Sequence, residues 1–270
     1  MGFLDAFKTT TSVKAKETYN FLVVAALQEE LNEFFKVNQS FKKKKKKEGG
    51  AFEISYTSKG KQINILTYTP NKMGMPFNAA ALMNIISIHK PIYTIMIGTC
   101  ACIAKDHKLG DVLIPDRVFS YESGKYEKGE FKPDYATHST GEELRKQAEL
   151  LKSLLTGKLK YNVTTDEDFC SGGAVVDDLE ISKEIIKRCG RKLSGLDMEA
   201  YSLACINTVL KGVNELLVVK GISDFAKDKG ETESKGKKEL AKTNSAHFAF
   251  ELIKHLQETL FGFEQDVTIK

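Results

Sequence analysis

The chain contains 270 residues, of which 41% are hydrophobic, and its 40 basic and 36 acidic side chains leave a net charge of +4. This length fits one large domain with a single core better than two small domains. No apolar run reaches the roughly 20 residues that span a bilayer, so we expect no membrane partner. Residues 1–7 are too short and too polar-flanked for a secretory signal.

The apolar pattern predicts strands that alternate with helices. Strands are predicted at 21–26, 51–56, 62–68, 92–97, 112–115, 117–121 and 216–222, and helices at 27–35, 77–89, 141–156, 179–189, 198–211 and 238–262. Alternation of this kind is typical of an α/β protein with a mostly parallel sheet covered on both faces. The predicted strand 92–97 is expected to end at Gly98, and residues 169–174 are expected to form a turn-rich segment.

Two segments are rich in charge. Residues 42–47 are six consecutive lysines, which predict a solvated, mobile loop tip that resists edge pairing. An electrostatic lure for nucleotides is the alternative. Nucleic-acid binding would need basic residues spread over a face with interleaved aromatics, so no nucleic-acid partner is expected. Residues 227–237, which are rich in lysine and glutamate, predict a mobile loop.

Five cysteines are scattered along the chain. The nearest two, Cys100 and Cys102, lack the spacing of zinc ligands, so no metal site is expected. An odd number of scattered cysteines is typical of free thiols in a reducing compartment. We therefore expect a cytoplasmic protein.

Three glycine-containing turns lie next to predicted strands, at 73–75, 98–99 and 171–173. Glycine lets backbone N–H groups approach a ligand closely, although it also simply makes turns. None of the three matches a G-x-G-x-x-G fingerprint or a P-loop. The sequence therefore predicts no nicotinamide or other cofactor and no phosphoryl transfer.

Acidic side chains are the most discriminating feature of the sequence. Glu199 begins a predicted helix among apolar neighbours, and Asp224 follows the strand 216–222 directly after Ser223. A carboxylate is costly to bury without a polar partner, although Ser223 or Asp224 could instead cap a helix. Glu30 follows the first strand, and ligands of open α/β sheets bind outside strand ends. These acids predict a site that grips a polar substrate and transfers a proton.

The order of these motifs resembles the purine nucleoside phosphorylase/uridine phosphorylase superfamily, in particular its 5′-methylthioadenosine/S-adenosylhomocysteine nucleosidases. The resemblance covers residues 19–262 and depends on the segments 26–30, 73–75, 97–99, 110–112, 171–172, 197–200 and 222–224. It implies a single-domain, three-layer α/β/α fold of the nucleoside-phosphorylase type, with a central mixed, mostly parallel sheet. Residues 1–18 would be an N-terminal arm and 263–270 a C-terminal tail.

The resemblance also implies a role for each acid. Asp224 would protonate or hydrogen-bond N7 of a purine, Glu30 would deprotonate the attacking water, and Glu199 would hold the ribose hydroxyls. Six further residues would bind substrate: Met73 and Met198 against base and sugar, Thr99 beside the water, Val175 in place of a stacking aromatic, the Val176 backbone at the purine edge, and Ser223 against Asp224.

Two departures from the family pattern bear on specificity. The segment 98–102 replaces a glycine-rich turn and has less backbone freedom. Val175 stands where the family carries the aromatic that stacks on adenine, so Phe169 or Phe225 is the candidate replacement. Both changes affect the expected preference for the base and for the 5′ substituent.

A homodimer, or a higher homo-oligomer, is implied because active sites in this superfamily are completed by a neighbouring subunit. Residues 119–135 contain Tyr121, Tyr126 and Phe131 and are the candidates for closing the 5′ end of the site. The lysine run and Lys220 would favour a 5′-phosphorylated substrate, or would simply be solvated.

The residue types favour water over phosphate as the co-substrate. Met96 stands where the phosphorylases carry a phosphate-binding arginine, and methionine cannot clamp an oxyanion. The sequence therefore predicts an N-ribosyl hydrolase that releases a purine base, in particular adenine, from a nucleoside or nucleotide. A phosphate-dependent phosphorylase and a non-catalytic nucleoside-binding module are the alternatives.

Overall fold

A mixed β-sheet forms the centre of the molecule, and a computed structural model describes residues 19–42, 45–133, 136–190, 192–227 and 234–261. The strands are β1 (Phe21–Ala25), β2 (Lys45–Lys46), β3 (Phe52–Ser58), β4 (Lys61–Tyr68), β5 (Tyr93–Cys102), β6 (Val112–Ser120), β7 (Gly124–Glu127), β8 (Glu130–Pro133), β9 (His138–Ser139), β10 (Val163–Ser171), β11 (Leu193–Asp197) and β12 (Glu215–Asp224). The helices are α1 (Gln28–Lys36), α2 (Met75–His89), α3 (Glu142–Leu154), α4 (Leu179–Cys189), α5 (Ala200–Val209) and α6 (Ser234–Thr259).

The large sheet has the strand order β11-β10-β6-β12-β5-β1-β4-β3-β2, and β9 pairs with β6. Strands β12, β5, β1 and β4 are parallel to one another, as are β6, β10 and β11. These two sets meet in antiparallel pairings of β12 with β6 and of β11 with β5. Strands β11, β10, β6, β12 and β5 therefore form a closed ring, and the remaining strands extend from one side of it.

Helices cover both faces of the sheet. Along β1, the side chains of Phe21, Val23 and Ala25 pack in one core with α1, α3 and α6. Leu22 and Val24 alternate with them and pack in a second core with α2 and α5. Because successive residues of a strand point to opposite faces, the continuous apolar run of β1 is explained by burial on both sides. The predicted three-layer fold with a mixed sheet is confirmed.

The predicted elements were wrong at several boundaries. Strand β5 continues through Gly98 to Cys102 because β12 runs beside it as far as Asp224. Residues up to 171 belong to β10, where β6 and β11 flank them, and not to a turn. Strand β11 and the β7–β8 hairpin were not predicted at all. The helix predicted from 198 begins at Ala200, so Glu199 occupies its N-cap position.

The charged segments also differ from expectation. Lys45 and Lys46 are exposed, as predicted, but they form an edge strand with β3, which the run was expected to resist. Lys43 and Lys44 lie outside the described residues. The largely buried Lys47 ammonium lies 2.9 Å from a Glu53 carboxylate oxygen and over the ring of Tyr19, so it is not solvated. The predicted loop 227–237 overlaps the first residues of α6. Its residues 228–233, like the predicted arm 1–18 and tail 263–270, lie outside the described residues.

Three of the cysteines, Cys100, Cys102 and Cys170, are buried and Cys205 is partly buried, and these four form no disulfide. None of the helices in the described ranges has the length and apolar character of a membrane span.

Close contact between β12 and α6 depends on Gly221. A Cβ atom there would collide with the backbone carbonyl of Ala241, which cannot rotate away. We expect Gly221→Ala to lower the free energy of unfolding by about 1–3 kcal/mol, the usual cost of overpacking. Gly236→Ala, at an open position of α6, is the matched control and should leave stability unchanged or slightly higher. Urea denaturation of both variants measures this, and equal stabilities would show that the contact is not tight.

Candidate active site

A cavity of about 260 Å³ opens where the chain leaves several strands of the ring. All nine residues predicted to form the site line it: Glu30, Met73, Thr99, Val175, Val176, Met198, Glu199, Ser223 and Asp224. The remaining lining residues are Ala26, Leu27, Cys100, Ala101, Tyr121, Ala174, Leu196, Asp197 and Lys238. The structure thus brings together residues that are far apart in the sequence, mainly at the carboxyl ends of strands.

Lys220 occupies the centre of the polar part of the site. Its side chain, in the middle of β12, is only 1% exposed, and its ammonium nitrogen lies 3.2 Å from Asp197 Oδ2 and 3.2 Å from Glu199 Oε2. Burial alone would lower the pKa of Lys220, but the carboxylates of Asp197, Glu199 and Glu30 together raise it. Lys220 therefore remains charged, and the expectation of a solvated or phosphate-attracting Lys220 is wrong.

Glu30 is held from two sides by backbone amides. The N–H of Leu27 donates to its Oε2 at 3.2 Å, and the N–H of Thr99 donates to its Oε1 at 3.1 Å. Burial raises the pKa of the Glu30 carboxyl above its ordinary value, although Lys220 and these two amides oppose the shift. A buried carboxylate with a raised pKa has the properties of a general base.

Gly98 allows this arrangement. A Cβ atom at position 98 would lie 2.8 Å from Glu30 Oε1 and 3.2 Å from Lys220 Nζ, so no larger residue fits between β5 and these groups. The backbone at Gly98 has φ of +153°, a value that residues with side chains rarely adopt. Gly98 thus continues the strand and makes room for the charges beside it.

Glu199 joins two sides of the cavity. Its Oε1 accepts a hydrogen bond from the N–H of Gly74 at 3.1 Å, and its Oε2 faces Lys220. Glu199 is 5% exposed, yet both carboxylate oxygens have a partner. The buried charge that the sequence left unexplained is therefore compensated by an ammonium and a backbone amide.

Asp197 is anchored more tightly than the predicted acids. Its Oδ1 accepts from the Ser171 hydroxyl at 2.6 Å, and its oxygens also accept from the N–H of Ala200 at the start of α5. Ser171 in turn accepts from the N–H of Tyr201. Asp197 therefore links β10, β11 and α5, and it faces Lys220 from a fixed position.

Asp224 lies at the end of β12 and is partly exposed to the cavity. Its Oδ1 accepts from the N–H of Ala226 at 2.9 Å, and its Oδ2 lies 2.8 Å from the Ser223 hydroxyl. The same hydroxyl lies 3.2 Å from the Cys100 carbonyl, to which it can donate instead. This geometry fits the predicted contact between Ser223 and Asp224.

The apolar residues of the site are the more open ones. Met73 is 48% exposed and Val175 is 57% exposed, whereas Met198, Val176 and Thr99 are partly buried. Neither candidate for the missing aromatic lines the cavity. Phe169 is fully buried against Gly195, and Phe225 packs in the core beneath α2 and α5. Both expectations about Phe169 and Phe225 are therefore wrong.

Sequence reasoning assigned no role to Asp197. It gave two other residues of the site a different role, Lys220 as a solvated or phosphate-attracting lysine and Tyr121 as one of three aromatics that close the 5′ end. Lys220 carried a usable signal, since a lysine within the apolar run of a buried strand needs an acidic partner. Asp197 lay beside Glu199 in the same motif. Tyr121 had no local signal that distinguished it from the neighbouring aromatics.

Residues 20–257 match the sequence profile of the phosphorylase superfamily, so the chain belongs to that superfamily and the predicted resemblance is confirmed. A curated relative, the uncharacterized protein y4jS of Sinorhizobium fredii (strain NBRC 101917 / NGR234), is 28% identical over 172 residues, which are 57% of this chain and 41% of the relative. The aligned part thus spans about two-fifths of the length of that relative.

Several solved structures share the fold. Futalosine hydrolase of Helicobacter pylori strain 26695 has a TM-score of 0.71 at 18% identity, over 88% of this chain and 99% of that one. The 5′-methylthioadenosine/S-adenosylhomocysteine nucleosidase of Neisseria meningitidis, in complex with methylthio-immucillin-A, has a TM-score of 0.69 at 21% identity, over 87% and 98%. The corresponding nucleosidase of S. pneumoniae, with a transition-state inhibitor, has a TM-score of 0.70 at 16% identity, over 87% and 99%.

The charge of Lys220 is expected to stabilise the folded chain. Lys220→Met leaves buried carboxylates without their cation, which typically costs about 3–5 kcal/mol, whereas Lys220→Arg keeps the charge and should cost less. Without the cation, the pKa of Glu30 rises further, and protonation then relieves the unpaired charge. The deficit of Lys220→Met should therefore shrink as the pH falls from neutral toward the usual range of glutamate. Urea denaturation over this pH range tests this; a variant as stable as the wild type at neutral pH would contradict it.

Proposed function

We propose that this protein is an N-ribosyl hydrolase that cleaves the N-glycosidic bond of a purine nucleoside or nucleotide, in particular one of adenine, and releases the free base. The observation that carries the proposal is the convergence of Glu30, Glu199 and Asp224 on one cavity within a phosphorylase-superfamily fold. Solved proteins of the same fold that are named nucleosidases or hydrolases add support.

Hydrolysis is favoured over phosphorolysis by the cations around the cavity. Among its described lining residues there is no arginine. Lys220 forms ion pairs with buried carboxylates, and the ammonium nitrogen of Lys238, which also lines the cavity, lies 3.5 Å from a Glu29 carboxylate oxygen. Met96 is fully buried in the core beneath α2 and α5 and presents no donor. The mainly negative charge here would repel a phosphate dianion, whereas it would not repel a neutral water molecule.

Glu30 is proposed as the general base. The attacking water would lie between Glu30 and Thr99, whose N–H already donates to Glu30. As the oxygen of this water bonds to C1′ of the ribose, its proton passes to the Glu30 carboxylate. The amides of Leu27 and Thr99 orient the carboxylate, and Lys220 lowers the pKa of Glu30 against the effect of burial.

Glu199 and Asp224 are proposed to act on the two sides of the breaking bond. Glu199, fixed by Gly74 and Lys220, would accept hydrogen bonds from ribose hydroxyls, which strengthen as positive charge develops on the sugar. Asp224 would give a proton or a hydrogen bond to N7 as the bond from C1′ to N9 breaks, so that the base leaves as a neutral molecule. Met73, Met198, Val175 and Val176 would surround sugar and base.

A homo-oligomer remains a proposal for the assembly. The β7–β8 hairpin carries Tyr126, which is 82% exposed and has its ring centroid 5.3 Å from that of Phe131. An exposed tyrosine beside a partly buried phenylalanine on a hairpin is suited to contact a second copy of the chain. Residues 134 and 135 of the predicted closing segment lie outside the described residues.

The proposed function is tested by following base release from a panel of purine nucleosides and nucleotides, each with and without inorganic phosphate. We expect release of adenine at the same rate in both conditions. Strict dependence on phosphate would instead support a phosphorylase. Specific binding without release from any member of the panel would support a nucleoside-binding module.

Asp224→Asn is expected to lower kcat by about 100- to 10,000-fold, the usual contribution of a positioned proton donor, without loss of folding. Asp106→Asn changes an exposed aspartate that does not line the cavity and is the matched control. Steady-state kinetics on the best substrate of the panel measure the effect. Near-normal turnover of Asp224→Asn would overturn the proton-donor assignment.

The pH dependence follows from Glu30. Because the base must be ionised and its pKa is raised, kcat/KM should fall as the pH drops through a value above the ordinary glutamate pKa. Lys220→Met should move this acidic limb to higher pH because the lysine lowers the pKa of Glu30, and Lys220→Arg should move it less. Glu30→Gln should remove most activity at every pH. An acidic limb that is the same in all of the active variants would show that Glu30 is not the titrating group.

A further inference from the structure

The base-binding end of the cavity has an aromatic residue in an unexpected place. Val175 offers only an aliphatic side chain there, and it is 57% exposed. Within the described part of the chain, Tyr121 is the only aromatic residue that lines the cavity. It directly follows β6, a strand whose partner β10 leads into the segment 172–176. A planar base is held well by an aromatic face, so the position of Tyr121 is relevant to how a base would bind.

The ring of Tyr121 is fixed by the segment 172–176. A Cβ atom at Gly172 would collide with the ring, so only glycine allows this close approach. The phenol hydroxyl donates to the Ala174 carbonyl at 3.1 Å. Burial and the neighbouring Glu122 carboxylate raise the pKa of Tyr121 to about 12, so the phenol keeps its proton at neutral pH.

Tyr121 also lies at the correct end of the cavity. Tyr121 and Val176 pack against the same apolar cluster, which contains Leu196 and Ala226. Ala226 donates its N–H to Asp224, the proposed donor to N7. The ring therefore shares one apolar cluster with Val176 and with Ala226, the residue that holds Asp224.

The residue after Tyr121 holds the same segment. A Glu122 carboxylate oxygen accepts a hydrogen bond from the N–H of Gly173 at 2.9 Å. Two consecutive residues thus fasten the segment 172–176 through Gly173 and Ala174. Glu122 does not line the cavity, so its role can be separated experimentally from that of the ring.

We propose that Tyr121 forms the aromatic wall of the base-binding end and determines the affinity of the site for a purine. The inference rests on the proposed function, since it assigns the base to this end of the cavity. The ring supplies the stacking surface, and its close packing on Gly172 keeps the ring in place. Tyr121 thus supplies the aromatic surface that Val175 lacks and that Phe169, which does not line the cavity, cannot present.

The test is a titration of the protein with adenine by calorimetry and with 2-aminopurine, whose fluorescence is quenched when it stacks on an aromatic ring. The wild type contains no tryptophan, which keeps the background low. We expect Tyr121→Phe to retain quenching and near-normal affinity. Tyr121→Leu should lose quenching and raise the Kd for adenine by about 5- to 150-fold, as removal of a stacking partner does.

Glu122→Ala is the control for a merely structural role, because it removes the bond to Gly173 and leaves the ring intact. It should change the Kd for adenine much less than Tyr121→Leu does. If Tyr121→Phe or Glu122→Ala weakens binding as much as Tyr121→Leu, the fastened segment and not the ring determines affinity, and the proposal is overturned. Unchanged adenine binding by a folded Tyr121→Leu variant overturns it as well.

Kinetics distinguish failure of this inference from failure of the proposed function. If Tyr121→Leu weakens adenine binding but the wild type releases no base from any nucleoside, hydrolysis is refuted and the role of Tyr121 in base binding is supported. If the wild type releases base and Tyr121→Leu has the same KM, hydrolysis is supported and the role of Tyr121 in base binding is refuted. If both hold, Tyr121→Leu should raise KM more than it lowers kcat, because stacking acts on bound substrate and transition state alike.

Discussion

One buried ammonium organises the candidate site. Lys220 lies in the middle of β12, and its ammonium nitrogen is 3.2 Å from a carboxylate oxygen of Asp197 and 3.2 Å from one of Glu199. Its charge also lowers the pKa of Glu30. Buried carboxylates repel one another strongly where water is excluded, so they would not stay ionised together without a cation. Lys220 therefore compensates the charge of Asp197 and Glu199 by direct ion pairs and lowers the pKa of Glu30 against the effect of burial.

The fold supplies this cation at a point where several strands converge. Strand β12 is flanked by β5 and β6, where Lys220 lies opposite Gly98 and Leu113, and the Lys220 side chain is buried. Gly98 on β5 leaves room for Lys220 and Glu30, and Asp197 is fixed from β11 by Ser171 and α5. The same strand β12 ends in Asp224, so one rigid element positions both the cation and the proposed proton donor.

Much of the fold could be predicted because the local pattern is strong. The apolar runs of β1, β5 and β12 are long, and each is buried on both faces. The polar residues of the site could be found because they follow strand ends in a recognisable order. The predicted boundary at Gly98 was wrong because β12 continues to pair with β5 past a glycine, which usually ends a strand. The predicted turn from Phe169 was wrong because β6 and β11 pair with β10 as far as Ser171. The pairing of Lys220 with Glu199 and the contact of Tyr121 with Gly172 depend on chain closure, and no local pattern specifies them.

The proposed reaction requires that water, activated beside a cluster of carboxylates balanced by Lys220, attacks the sugar. The most direct measurement is turnover of a purine nucleoside in water enriched in a heavy oxygen isotope, with inorganic phosphate present, followed by mass analysis of the sugar product. We expect free ribose, or its 5′-substituted form, that carries the heavy oxygen at C1′. Formation of a sugar 1-phosphate without the label would contradict it.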